Sequence, residues 1–145
     1  MEFSALERTV IEHILSQPIE DMDILRQQFA AASVVTRDYD RIGFYTTISV
    51  PRSLPPLPYG DYPNLGSRDG AMGVAKSAPR DVISFKLWVD GGYLACLEGE
   101  TSGKHWPNER DIRLTESIVV PAKKASKWKW PWSKGEQQKR PGLWL

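Results

Sequence analysis

The chain has 145 residues, 41% of them hydrophobic and 26% charged, with a net charge of +1. This balance suits one folded domain large enough to bury a core, and it excludes a disordered chain. No run approaches the ~20 consecutive apolar residues that a membrane-spanning helix needs, and Met1-Glu2-Phe3-Ser4 lacks the basic and apolar regions of a secretory signal. The lone cysteine, Cys96, excludes an internal disulfide and fits a reducing, cytoplasmic setting.

The small net charge conceals two opposed ends. From Ala122 to Leu145, seven lysines and arginines face one carboxylate, Glu136, for a net +6. The first 25 residues hold Glu2, Glu7, Glu12, Glu20, Asp21 and Asp23 against Arg8, for a net −5. Such ends attract each other or attract different partners, and the same pattern also describes two solvated faces.

Ser4-Ala5-Leu6-Glu7 reads as a capping box opening a helix. Leu6, Val10, Ile11, Ile14 and Leu15 follow on one helical face, and Pro18 ends it. Glu20-Asp21 opens a second helix with the apolar stripe Met22, Leu25, Phe29 and Ala32. The short link predicts an antiparallel helical hairpin. Beyond Ala32 the period becomes two. Ser33 to Tyr39 is a predicted strand, Asp40-Arg41 a turn, and Ile42 to Val50 an alternating, half-buried strand stopped by Pro51. Pro51 to Gly70 holds five prolines without a period and reads as an extended surface loop. Ala71 to Ser77 is a weak strand.

The clearest element runs from Val82 to Glu98. Ile83, Phe85, Leu87 and Val89 alternate with Ser84, Lys86 and Trp88, and Asp90-Gly91-Gly92 supplies a tight turn. With a two-residue loop, Leu94 and Cys96 share the face of Phe85, Leu87 and Val89; a three-residue loop reverses this. Gly99 to Arg110 reads as a loop, and Asp111 to Val120 as a last strand closed by Pro121. The expected fold is α+β: an N-terminal helical hairpin packed on an antiparallel sheet of five or six short strands. Residues 1–121 form the single domain and residues 122–145 a basic, tryptophan-rich tail.

Chemistry-bearing residues are sparse. Glu98, Glu100 and His105 are the components of a small hydrolase, but their spacing matches no metal-ligand pattern, and no cofactor motif is present. Cys96 lies in an apolar strand, where burial suppresses thiol reactivity. Gly66 to Gly73 is glycine-rich but lacks the strand-then-helix setting of a phosphate loop. The most unusual segment is Lys127-Trp128-Lys129-Trp130-Pro131-Trp132-Ser133-Lys134. Indoles with lysines suit a membrane interface, a nucleic acid, or packing back on an acidic body.

Three segments carry a resemblance: Ile42-Gly43-Phe44-Tyr45-Thr46, Phe85 to Leu94, and Leu97-Glu98-Gly99-Glu100-Thr101-Ser102-Gly103 with Trp106-Pro107. Over about residues 1 to 110 they resemble a group of small, mostly uncharacterised bacterial proteins with a GFFT-like strand and an LEGYTYG…WP-like hairpin and loop. Glu100 and Ser102 stand where that group tends to have tyrosines. The resemblance implies a bacterial setting and no particular activity.

These features lead to an expected function as a non-catalytic protein-binding module, such as an immunity or inhibitor-type partner of another protein. Its candidate partner surface comprises Glu7, Glu12, Asp21, Trp88 and Tyr93. The alternatives are a peripheral membrane or nucleic-acid adaptor acting through Lys127, Trp128, Lys129, Trp130, Trp132 and Lys134, and the hydrolase of Glu98, Glu100 and His105.

Overall fold

The computed structural model describes residues 1–17, 21–58, 62–65 and 71–115. Two helices, α1 (Ala5–Leu15) and α2 (Met22–Ala30), precede strands β1 (Ser33–Tyr39), β2 (Gly43–Ser49), β3 (Tyr62–Leu65), β4 (Met72–Ala75), β5 (Ala78–Asp90), β6 (Tyr93–Thr101) and β7 (Ile112–Thr115). All pairings are antiparallel, and the sheet runs β1-β2-β6-β5-β4-β7. The fold is therefore α+β, with the helices packed on one sheet face.

The expected capping box opens α1. The Ser4 hydroxyl accepts from Glu7 N at 3.1 Å, and Glu7 Oε1 accepts from Ser4 N at 2.7 Å. Val10, Ile11, Ile14 and Leu15 bury the predicted stripe, joined by Met22, Leu25 and Phe29 of α2. They meet Phe44 and Ile48 of β2, Ile83, Phe85, Leu87 and Val89 of β5, and Leu94 and Leu97 of β6. Each large side chain so buried contributes about 1.5–3 kcal/mol, which is why this face rather than the other anchors the helices.

Three predicted boundaries change, the first being that β5 starts at Ala78 rather than Val82. Within the segment read as loop, Tyr62–Leu65 forms β3. The reason lies in β5, whose thirteen residues outrun the four of β4. β4 covers one edge of β5 near Ile83–Ser84, and β3 takes the same edge at Leu87 and Val89. Backbone groups left open on a strand edge recruit a short partner that has no pattern of its own. The loop expected from Gly99 likewise starts later, since β6 continues to Thr101. Pro18, Glu20 and the stretch beyond Thr115 expected to complete the last strand lie outside the described residues.

The Gly91–Gly92 turn joins Asp90 to Tyr93 with two residues, both at positive φ (59° and 86°), as a type I′ hairpin requires. Leu94 therefore faces the core as expected. Cys96 does not. Leu94 pairs with Val89 and Cys96 with Trp88, so Ala95 is an extra residue, a bulge that shifts the alternation by one. Cys96 then shares the second face with Trp88, Glu98 and Glu100, opposite the helices.

Candidate functional site

Three turns gather at the end of the sheet away from the Gly91–Gly92 hairpin. In the β1–β2 turn, Asp40 Oδ1 accepts from Ile42 N at 2.9 Å and Gly43 N at 2.8 Å, an Asx turn that leaves Arg41 exposed at its tip. In the β4–β5 turn, Ser77 N donates to Asp111 Oδ2 at 2.8 Å, and Ser77, through its side chain first and then this backbone bond, holds the Asp111 carboxyl below its ordinary value. After β6, Ser102 N donates to Val82 O and the Ser102 hydroxyl accepts from Val82 N, both at 2.8 Å.

Trp106 fixes the segment that follows. Its ring stands edge-on to Phe44 at 5.3 Å and to Phe85 at 6.2 Å, and its backbone N–H donates to Arg41 O at 2.6 Å. Its Nε1 donates to Glu109 Oε2 at 3.1 Å, and the Tyr39 hydroxyl donates to the same oxygen at 2.8 Å. Burial, and then this bond to Glu109, push the Tyr39 phenol well above its ordinary pKa. Between these anchors lies an open groove of about 740 Å³ lined by Arg41, Ser77, Asp81, Ser102, Lys104, His105 and Trp106. Arg41, Lys104 and His105 are exposed. Asp81 packs directly against Gly103, where any side chain would strike its carboxylate. The groove therefore offers three basic side chains and two hydroxyls against one carboxylate.

The residues singled out from the sequence are dispersed. Glu7 is 1% exposed and faces inward. Its carboxylate accepts from Ser4 N, from Arg37 Nε at 2.6 Å and Nη2 at 2.8 Å, and from Thr46 Oγ1 at 2.6 Å. Burial alone raises its pKa, but the bonds from Arg37, Thr46 and Ser4 outweigh that and hold it below the ordinary value. Glu7 thus presents no charge to a partner, a correction to its expected place on an acidic surface. Glu12 is exposed on α1, and Asp21, half-buried, precedes α2 at φ 62°. Asp23 pairs with Arg26, so the helical face carries mixed charge. Trp88, at 4% exposure, is also no surface residue; its Nε1 donates to Glu98 Oε1 at 3.1 Å. Tyr93 is half-buried, with its hydroxyl on Leu54 O at 2.8 Å and the Arg52 guanidinium 4.0 Å over its ring.

Glu98 and Glu100 share the second sheet face, whereas the groove that includes His105 is lined by neither. Among the described residues no group of His, Cys, Asp and Glu has the arrangement to hold a metal ion. Lys127, Trp128, Lys129, Trp130, Trp132 and Lys134 lie outside the described residues. No described helix is long and apolar enough to cross a membrane. Arg41 and Lys104 escape sequence reasoning because single cations 63 positions apart carry no spacing signal; only the turn at Asp40-Arg41 has one. Comparison with known proteins gives no match among family models, curated proteins or solved structures.

Proposed function

We propose that the domain is a non-catalytic binding module that takes an acidic segment of a partner protein into the groove between the sheet-end turns. The observation that carries this reading is the convergence of Arg41, Lys104 and His105 on one open groove. Guanidinium and ammonium groups held on short, hydrogen-bonded turns meet carboxylates at little ordering cost. Trp106 and Pro107 add an apolar wall against which a peptide backbone can lie. A small module of this kind acts by occupying a partner, as inhibitor and immunity proteins do, and the bacterial resemblance suits that role. The lone cysteine, buried in β6, fits a reducing cytoplasmic setting.

The test is titration of the full chain with a short oligoglutamate peptide, followed by amide NMR. Shifts concentrated at residues 102–107, weakened by salt and lost in Arg41→Glu/Lys104→Glu, are expected. Binding that ignores salt, or that survives the double charge reversal, would sink the proposal.

A further inference from the structure

The strand order ends at β1 on one side and at β7 on the other, and the two edges differ. β1 is blunted: its register slips between Val34 and Thr36, and Val34 N already donates to Met1 O at 2.8 Å. β7 is regular, with four successive pairs to β4 from Met72–Thr115 to Ala75–Ile112. Lys76 N donates to Asp111 O at 3.3 Å. Antiparallel alternation from there turns the backbone groups of Arg113 and Thr115 toward β4 and those of Ile112 and Leu114 outward. Ile112 N donates to Glu109 O. The Ile112 carbonyl and both Leu114 groups are left on the outer edge, with no strand beside them among the described residues.

A groove of about 550 Å³ lies against this edge, between β7 and the first turns of α1. Its apolar floor is Leu6 of α1 with Ile112 and Leu114, all half-buried and packed on the core from the other side. Arg113 and Thr115 alternate with them on the opposite face and are exposed, as is Arg110 on the rim of the groove. The nearby carboxylates are engaged within the chain: Glu109 accepts from Tyr39 and Trp106, and Asp111 from Ser77. The charge that this edge offers to a newcomer is therefore that of Arg110 and Arg113.

We propose that the β7 edge is a strand-addition site for an extended segment of a partner protein in which aliphatic residues alternate with acidic ones. The Leu114 N–H and C=O and the Ile112 carbonyl supply main-chain bonds, and the groove supplies the pocket for alternate side chains. In an antiparallel addition, the partner residues opposite Ile112 and Leu114 point to the helix side, onto Leu6 and the groove floor. The residue between them stands opposite Arg113 on the other face, where a carboxylate completes a cross-strand ion pair. A second copy of the chain fits this edge worse. Pairing β7 with itself about Arg113 sets two arginines opposite each other, and pairing about Leu114 gives Arg113 only Thr115. The site shares no lining residue with the groove of Arg41 and Lys104, so it stands apart from that reading.

The test is titration of the full chain with a soluble peptide carrying Val-Glu-Val-Glu-Val, followed by amide NMR and hydrogen exchange. Shifts at residues 112–115 and about tenfold slower exchange of the Leu114 amide are expected. Arg113→Glu, a change at an exposed edge position, is expected to weaken binding about fivefold or more, and a Val-Lys-Val-Lys-Val peptide to recover it. Arg41→Glu/Lys104→Glu should leave binding of the first peptide unchanged, which separates this site from the groove at the sheet end. No protection at Leu114, shifts centred on residues 102–107 instead, or an Arg113→Glu variant that binds both peptides as the wild type does would each overturn the proposal. So would a Leu114 amide already protected in the free chain, by the chain itself or, as concentration rises, by a second copy.

Discussion

Arg37 of β1 donates two hydrogen bonds to the buried carboxylate of Glu7 in α1, at 2.6 and 2.8 Å, and so rivets the first helix to the edge strand of the sheet. The same carboxylate closes the capping box and accepts from Thr46 of β2. One side chain therefore starts the helix and fixes its seat. Removing one member of a buried, hydrogen-bonded ion pair strands the other.

Glu7→Ala is accordingly expected to cost about 3 kcal/mol, measured by urea unfolding at neutral pH. The folded pKa of Glu7 lies below its ordinary value of 4.5. Its contribution is thus fully present above that value and is lost as pH falls through the folded pKa. Stability should decline on the acid side in the wild type, and the decline should be shallower in Glu7→Gln. Equal acid limbs in the two proteins would remove Glu7 from the account.

Gln28, fully buried in α2, should be the most sensitive polar residue after Glu7. Its Nε2 donates to Gly92 O at 2.9 Å and Pro55 O at 3.0 Å, and its Oε1 accepts from Leu94 N at 2.9 Å. Gln28→Leu keeps the volume but leaves the Leu94 amide and the Gly92 carbonyl without that buried partner. A loss of about 2–4 kcal/mol is expected, with faster hydrogen exchange at the Leu94 amide. Unchanged exchange there would show that the hairpin does not depend on this clamp.

The two turn glycines should respond unequally. Gly91 has φ 59° and open space around it, so Gly91→Asn is expected to stay within about 0.5 kcal/mol of wild type. Gly92 has φ 86°, and a side chain there would crowd Pro56 and Leu57. Gly92→Ala is expected to cost about 2 kcal/mol or more in thermal unfolding analysed as free energy. Similar losses at both positions would contradict the type I′ assignment.

Tyr39 should titrate late. Burial and the hydrogen bond to Glu109 keep its phenol protonated beyond the ordinary range. Ultraviolet titration should show a late transition that moves part of the way back in Glu109→Ala. A titration curve unchanged in Glu109→Ala would contradict the Tyr39–Glu109 contact.

Features carried by neighbours in the chain are legible in the amino-acid order. The capping box at Ser4 and Glu7, the helical stripe from Val10 to Leu15, the alternation from Ile83 to Val89 and the Gly91-Gly92 turn are spacing signals. Each reflects backbone geometry over a few residues, so each persists unchanged in the fold. Glu7 is legible as a cap but not as a buried charge, because nothing near it in sequence announces Arg37 thirty positions away.

What stays hidden depends on register between distant strands. The bulge at Ala95 moves Cys96 to the face of Trp88, and no local pattern marks one extra residue in an otherwise alternating strand. β3 exists because the edge of β5 is longer than β4 can cover. Arg41 meets Lys104 and His105 because the turns that carry them end at the same side of the sheet. Composition, helix starts, strand periods and the hairpin follow from the amino-acid order alone, since they are short-range properties of the backbone. Which face each side chain occupies, and which charges meet, is decided by long-range pairing, where a shift of one residue exchanges the two faces.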